Sequence, residues 1–263
     1  MALTDNIVSY WKLDEASGNA ADSVGANTLT NSNATYAAGK INNGAVFNGT
    51  TAILSSSAFA VPTTALTFSA WINADTLPSS GVLAAVISKY TTAAQTGGVY
   101  ILLYNDGGTQ KIHFTAYNSS TGLDATASKT QTLSTSTWYY LVGTYTTAGG
   151  TKLYINGTEV ATNTDTGDLF NPSGRVLTVG CQNYDGSNNV RFFDGMIDEV
   201  GVWSRALSST EVTALYNGGA GLQYPFVGSG PANLKLYNTN AKANIKSINT
   251  NPIANVKSLN TNT

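Results

Sequence analysis

Short runs rich in Val, Ile, Thr, Tyr and Trp recur through most of this chain, each closed by a cluster of Gly, Asn, Asp or Ser. That rhythm points to antiparallel sheet, because half-buried pleated surfaces favour such runs and tight turns favour such closures. It predicts strands at Ile7–Leu13, Ala45–Asn48, Leu66–Asn73, Val82–Ser88, Val99–Tyr104, Ile112–Tyr117 and Trp138–Thr146. Leu153–Ile155, Val176–Gly180 and Val190–Trp203 complete the set, the last with a break at Asp194–Gly195. Asn156-Gly157 between KLYI and TEVA supplies the two positive-φ residues of a type I′ hairpin.

A single helix is legible. Ser208-Ser209-Thr210-Glu211 has capping-box spacing, Val212, Leu215 and Tyr216 share one face, and Asn217-Gly218-Gly219 ends the run. One short helix after so many strands predicts an all-β domain with a closing helix. Hydrophobic residues make up 42% of the 263, enough to bury a core. Charged residues make up only 11%, against roughly 25% in an average soluble protein, so turn and strand chemistry dominates the surface.

Cys181 is alone, which excludes an intramolecular disulfide, and with His113 the single histidine a zinc site is not expected. Met1–Glu15 lacks a basic n-region and an apolar h-region, and no run approaches the length of a membrane span. The expectation is a chain made in the cytoplasm without a signal peptide and displayed on a virion surface or extracellular assembly, with no membrane partner. No acidic residue follows Glu211, whereas Lys235, Lys242, Lys246 and Lys257 do. Lysines so dispersed do not make a nucleic-acid site, and a tail docking on an acidic body suits them better.

Val227-Gly228-Ser229-Gly230-Pro231 opens a linker, 227–232, after a domain spanning 1–226. The remaining 233–263 carry an 11-residue repeat: YNTNAKANIKS from Tyr237, INTNPIANVKS from Ile248, and a third start at Leu259. Asn, Thr and Pro252 argue against a helical supercoil there. Alternation in Lys242–Lys246 favours short strands between turns, with Tyr237, Ile245, Ile248, Val256 and Leu259 as the assembly contacts, and a disordered polar tail as the other reading.

Seven segments in order resemble the laminin-G-like branch of the concanavalin A-like lectin/glucanase superfamily. They are VSYWKLDEASGNAADSVG from Val8, Gly44-Ala45-Val46-Phe47-Asn48-Gly49, Thr67–Leu77, Ile87–Tyr90, Trp138–Tyr145, Lys152–Val160 and Phe193–Asn217. The resemblance implies a jelly-roll sandwich of two antiparallel sheets, with Phe68, Ala70 and Ile72 facing one side and Ser69 and Trp71 the other. It also implies a possible Ca²⁺ at the sandwich rim, with Asp22 and Asp198 as ligands and a carbonyl near Gly25 or Asn27. The tail, in turn, resembles repeats at the ends of phage-encoded proteins.

Fold alone does not decide function. Asp198-Glu199 is the one carboxylate pair on a strand, and strand alternation sends adjacent residues to opposite faces, so acid–base catalysis on a glycan is not expected. The glycanases of the superfamily resemble one another in an alternating Glu-x-Asp-x-(x)-Glu strand, which is absent here. For glycan binding, Asn183, Tyr184 and Asp185 combine an aromatic ring with amide and carboxylate groups in one loop. Two readings stand ahead of an enzyme. The first is a non-enzymatic adhesion subunit of a virion or fibre-like assembly, oligomeric through its tail. The second is a monomeric Ca-dependent carbohydrate-binding module with a flexible tail.

Overall fold

The computed structural model describes residues 1–91, 97–118, 123–170, 174–184 and 188–226. Its strands begin with β1 (Ile7–Trp11), β2 (Thr30–Ser32), β3 (Thr35–Ala38), β4 (Asn43–Asn48), β5 (Ile53–Ala58) and β6 (Ala65–Ala74). They continue with β7 (Leu83–Thr91), β8 (Gly97–Asp106), β9 (Thr109–Asn118), β10 (Leu123–Thr130), β11 (Trp138–Thr146) and β12 (Gly150–Ile155). The last are β13 (Thr158–Asn163), β14 (Val176–Val179), β15 (Gln182–Asn183), β16 (Asn189–Val190) and β17 (Asp194–Trp203), followed by helix α1 (Ser209–Tyr216).

Two antiparallel sheets form the expected sandwich. The eight-stranded sheet runs β13-β12-β11-β6-β17-β4-β3 with β1 added beside β17, and the seven-stranded sheet runs β10-β9-β8-β7-β14-β5-β2. Inward side chains of both meet in one core that includes Phe68, Ile101, Phe114, Leu141 and Val202. On β6 the alternation is as the sequence predicts: Phe68, Ala70 and Ile72 enter this core while Trp71 points away.

Trp71 is nonetheless only 2% exposed, because the outer face of the eight-stranded sheet is also covered. Tyr10, Trp71, Tyr140, Trp203, Val212 and Leu215 form a second apolar cluster there, under α1. The helix begins at the predicted capping box, with Ser208 and Glu211 exchanging side-chain-to-backbone bonds, and ends at Asn217 in the left-handed region. The segment after the helix closes the lid: the Phe226 ring lies 5.1 Å from Tyr10 and 6.1 Å from Trp203. No helix among the described residues is long and apolar enough to cross a membrane.

Two expectations need correction. The break before β17 falls at Arg191–Phe193, since Asp194 and Gly195 already pair with β4. The irregularity inside β17 lies further on, where the register slips between Asp198 and Gly201 and Glu199 takes φ 51°. Such a bulge inserts one residue and resets the alternation. Asp198 and Glu199 therefore do not diverge. Asp198 pairs with outward-facing Trp71, and Glu199 reaches Tyr10 on that same side.

Compact packing also holds the unit Met1–Phe226 as a body of its own. The linker and the assembly residues Tyr237, Ile245, Ile248, Val256 and Leu259 lie outside the described residues.

Candidate functional site

The Asp198-Glu199 pair sits beneath the segment that carries Leu222 and Gln223 rather than in a cleft. Their residues are 0% and 2% exposed. Asp198 accepts from the N–H groups of Lys40 and Ile41 on one oxygen and from Glu199 N–H on the other. Glu199 accepts from the Tyr10 hydroxyl at 2.5 Å and from the Gln223 amide at 2.6 Å, and that amide also donates to Asp14 at 2.9 Å. Burial pushes the Asp198 carboxyl up to about 8, with the Glu199 charge adding to it, and pushes Glu199 up to about 7. This arrangement pins the segment before Phe226 onto β1 and β17.

Asp22 is also spent on its own loop. One of its oxygens accepts from Tyr10 and Val24 N–H, the other from Asn27 N–H at 3.1 Å. A Ca²⁺ at Asp22 would draw on these same oxygens. Asp22 presents the geometry of a turn cap, whereas Asp198, inside β17, holds the distant Lys40–Ile41 backbone.

The other sheet carries a different kind of surface. β15 and β16 pair as a small hairpin that folds over β7, where Ala85 N–H donates to the Arg191 carbonyl at 2.8 Å. This places Tyr184 beside Tyr90 of β7, which in turn meets Tyr100 of β8. The Tyr90 and Tyr184 rings are 5.4 Å apart and tilted by 46°, and Tyr90 meets Tyr100 edge-on at 5.7 Å. The Arg191 guanidinium lies 5.3 Å from the Tyr184 ring centre, and its Nη1 donates to Gln182 Oε1 at 2.5 Å. Asn183 donates to Asn189 at 2.8 Å beneath them. Tyr90, Tyr184 and Arg191 are half-buried, so each keeps a face toward solvent. Half-exposed rings beside fixed amides and a guanidinium are the groups that stack on and hydrogen-bond a sugar.

With this geometry in view, comparison with known proteins decides the family. The Laminin_G_3 model, described as the concanavalin A-like lectin/glucanases superfamily, matches residues 47–213, more than half of the chain. The chain belongs to this superfamily.

Solved structures of the same fold include domain 4 of AbnA, a GH43 extracellular arabinanase from Geobacillus stearothermophilus, in complex with arabinotriose. Identity there is 23% at TM-score 0.57, covering 79% of this chain and 97% of that one. The botulinum neurotoxin serotype D ligand-binding domain in complex with N-acetylneuraminic acid matches at 15% identity and TM-score 0.60, over 81% of this chain and 51% of that one. The binding domain of Paraclostridial Mosquitocidal Protein 1 matches at 16% and 0.61, over 83% and 53%. The superfamily member described here thus spans about half the length of those two domains. A search of curated protein sequences returned no match.

Of the sequence-predicted ligand residues, Asn183 and Tyr184 lie side by side on this hairpin, Asn183 buried and Tyr184 half-buried, and Asp185 lies outside the described residues. Tyr90, Tyr100 and Arg191 were not anticipated; the β15–β16 pairing brings Arg191 to Tyr184, and the hairpin's packing onto β7 brings Tyr90, which in turn meets Tyr100. His113 lies on β9, its ring edge-on to Tyr104 at 5.5 Å. The Tyr104–Gly107 turn satisfies itself through Asn105 and a Lys111–Asp106 ion pair. A cavity of ≈ 520 Å³ also opens beside α1, lined by Thr144, Lys152, Glu159, Arg205 and Glu211 among others, with both cations paired in salt bridges to the two glutamates.

Proposed function

We propose that this chain is a non-enzymatic carbohydrate-binding module displayed on a virion or comparable surface assembly. The sandwich takes the glycan at the Tyr90–Tyr184–Arg191 face. The observation that supports this most directly is the packing of the β15–β16 hairpin, which sets two half-exposed rings against a fixed guanidinium and two asparagines. That solved relatives of the fold are complexes with arabinotriose and with N-acetylneuraminic acid is consistent with it.

A glycan array probed with the purified chain tests the reading. Tyr184→Ala should weaken the strongest signals roughly tenfold or more, since tyrosines at the centre of an interface carry much of its energy. A parallel array in chelator reads whether calcium at Asp22 or Asp198 takes part. Unchanged binding by Tyr184→Ala would move the site elsewhere, and release of new reducing ends would overturn the non-enzymatic reading.

Residues 233–263 serve in this proposal as the attachment arm, pairing with a neighbouring subunit by strand addition through the alternating repeat. Light scattering after size exclusion should show a defined oligomer for the full chain and a monomer for a chain ended at Phe226. A monomeric full chain would remove self-association and leave a monomeric lectin.

A further inference from the structure

We infer that the glycan taken at this face is acidic, and that Arg191 reads its carboxylate; the inference rests on the proposed carbohydrate-binding function. Among the described residues the ion pairs are Lys111–Asp106, Lys152–Glu159 and Arg205–Glu211, and Arg191 takes part in none of them. Its side-chain hydrogen-bond partner among the described residues, Gln182 Oε1, is neutral. A guanidinium has five N–H donors in a planar fork, and the bond to Gln182 uses one of them among the described residues. With no counter-charge among the described residues, this half-buried cation costs free energy, and a carboxylate gripped by two parallel N–H···O bonds offsets that cost best.

The side chain is held ready for this. Arg191 sits in the left-handed backbone region at φ 55°, an unfavourable place for a residue with a β-carbon, and its carbonyl is tied to Ala85 N–H. Strained, doubly anchored positions of this kind concentrate at ligand clamps. Gln182 is fully buried and fixes the guanidinium from below. Its amide orientation follows from chemistry: turned over, its NH₂ would face the Arg191 donors. The guanidinium lies over the Tyr184 ring, 5.3 Å from its centre, which holds the fork in place from a second side. A sugar packed against the exposed part of Tyr184, with a carboxylate substituent directed at the outer donors of Arg191, uses both groups at once.

The test is an array carrying acidic oligosaccharides, each beside its carboxyl methyl ester, with neutral glycans alongside. Esterification removes the charge and leaves the sugar ring. The native chain should bind the acids about tenfold or more better than their esters, as expected for a charge-assisted pair. Arg191→Gln should bring that ratio close to one, and Arg191→Lys should leave it between, because lysine keeps the charge and loses the fork. Equal binding of acid and ester by the native chain, or binding confined to neutral glycans, overturns the acidic-ligand inference and leaves the carbohydrate-binding reading standing. Binding to no glycan at all removes both. The acid-to-ester ratio of the native chain decides the matter even if Arg191→Gln fails to fold.

Discussion

Gly143→Ala should destabilise the sandwich by about 3 kcal/mol, the upper end for forcing a methyl group into a close-packed core. Gly143 lies in the middle of β11, between Phe68 and Leu153 on the neighbouring strands. A β-carbon there would stand 2.1 Å from Cδ2 and 2.2 Å from Cγ of Phe114, which is fully buried in the opposite sheet. The phenyl ring occupies the volume an alanine needs, and neither sheet can retreat without opening its neighbours. For a domain of this size the loss corresponds to a fall of roughly 10 °C in melting temperature. Phe114→Leu costs stability alone, yet combined with Gly143→Ala it should cost less than the sum, because the two changes share one space. Thermal melts of the four proteins read both effects. A Gly143→Ala chain as stable as the native one would mean that the sheets do not meet at this point.

A second large effect should appear with pH. Burial raises Glu199 to about 7, with Asp14 adding to it and the Tyr10 and Gln223 hydrogen bonds opposing. Asp198 moves the same way. Carboxyls whose pKa is higher folded than unfolded bind more protons in the native state between those values, so stability falls as pH rises. The contribution is fully present below the ordinary carboxylate range near 4.5 and is lost as pH climbs through 7 to 8. From Glu199 alone the loss between pH 5 and pH 8 is about 3 kcal/mol, because a tenfold change in proton affinity is worth about 1.4 kcal/mol. Glu211 acts oppositely: burial works against its ionisation, but Arg205 and Ser208 bring it down to about 2, so its share is lost only in acid. Melting temperature should therefore peak in mild acid and fall toward pH 8, and Glu199→Gln should flatten much of the alkaline fall. A curve level from pH 5 to pH 8 in the native chain would mean that both carboxyls ionise without strain.

Much of the architecture was readable from neighbouring residues alone. Trp138–Thr146 is the β11 strand residue for residue, and Asn156-Gly157 turns with φ of 51° and 79° as a type I′ hairpin requires. The capping box at Ser208 and Glu211 starts the helix where its spacing said it would. These features depend on chemistry within a few positions along the chain. β2 and β3 escaped notice because TNS and TYAA lack a strong apolar run; they are strands because β5 and β4 offer them edges.

Where side chains from distant segments must meet, local pattern had nothing to say. Alternation alone placed Asp198 and Glu199 on opposite faces, and a one-residue bulge, visible only in the pairing of β17 with β6, put them on the same one. Asn183 and Tyr184 could be picked out by residue type. Their companions Tyr90 and Tyr100 could not, since a hairpin folding across β7 is a long-range event, and Arg191 joins them only through the pairing of β15 with β16. Strand, turn and cap are set by energies between near neighbours, and the chain's residue types specify them directly. A binding face is set by which elements pack together, and that is decided only when the whole core forms.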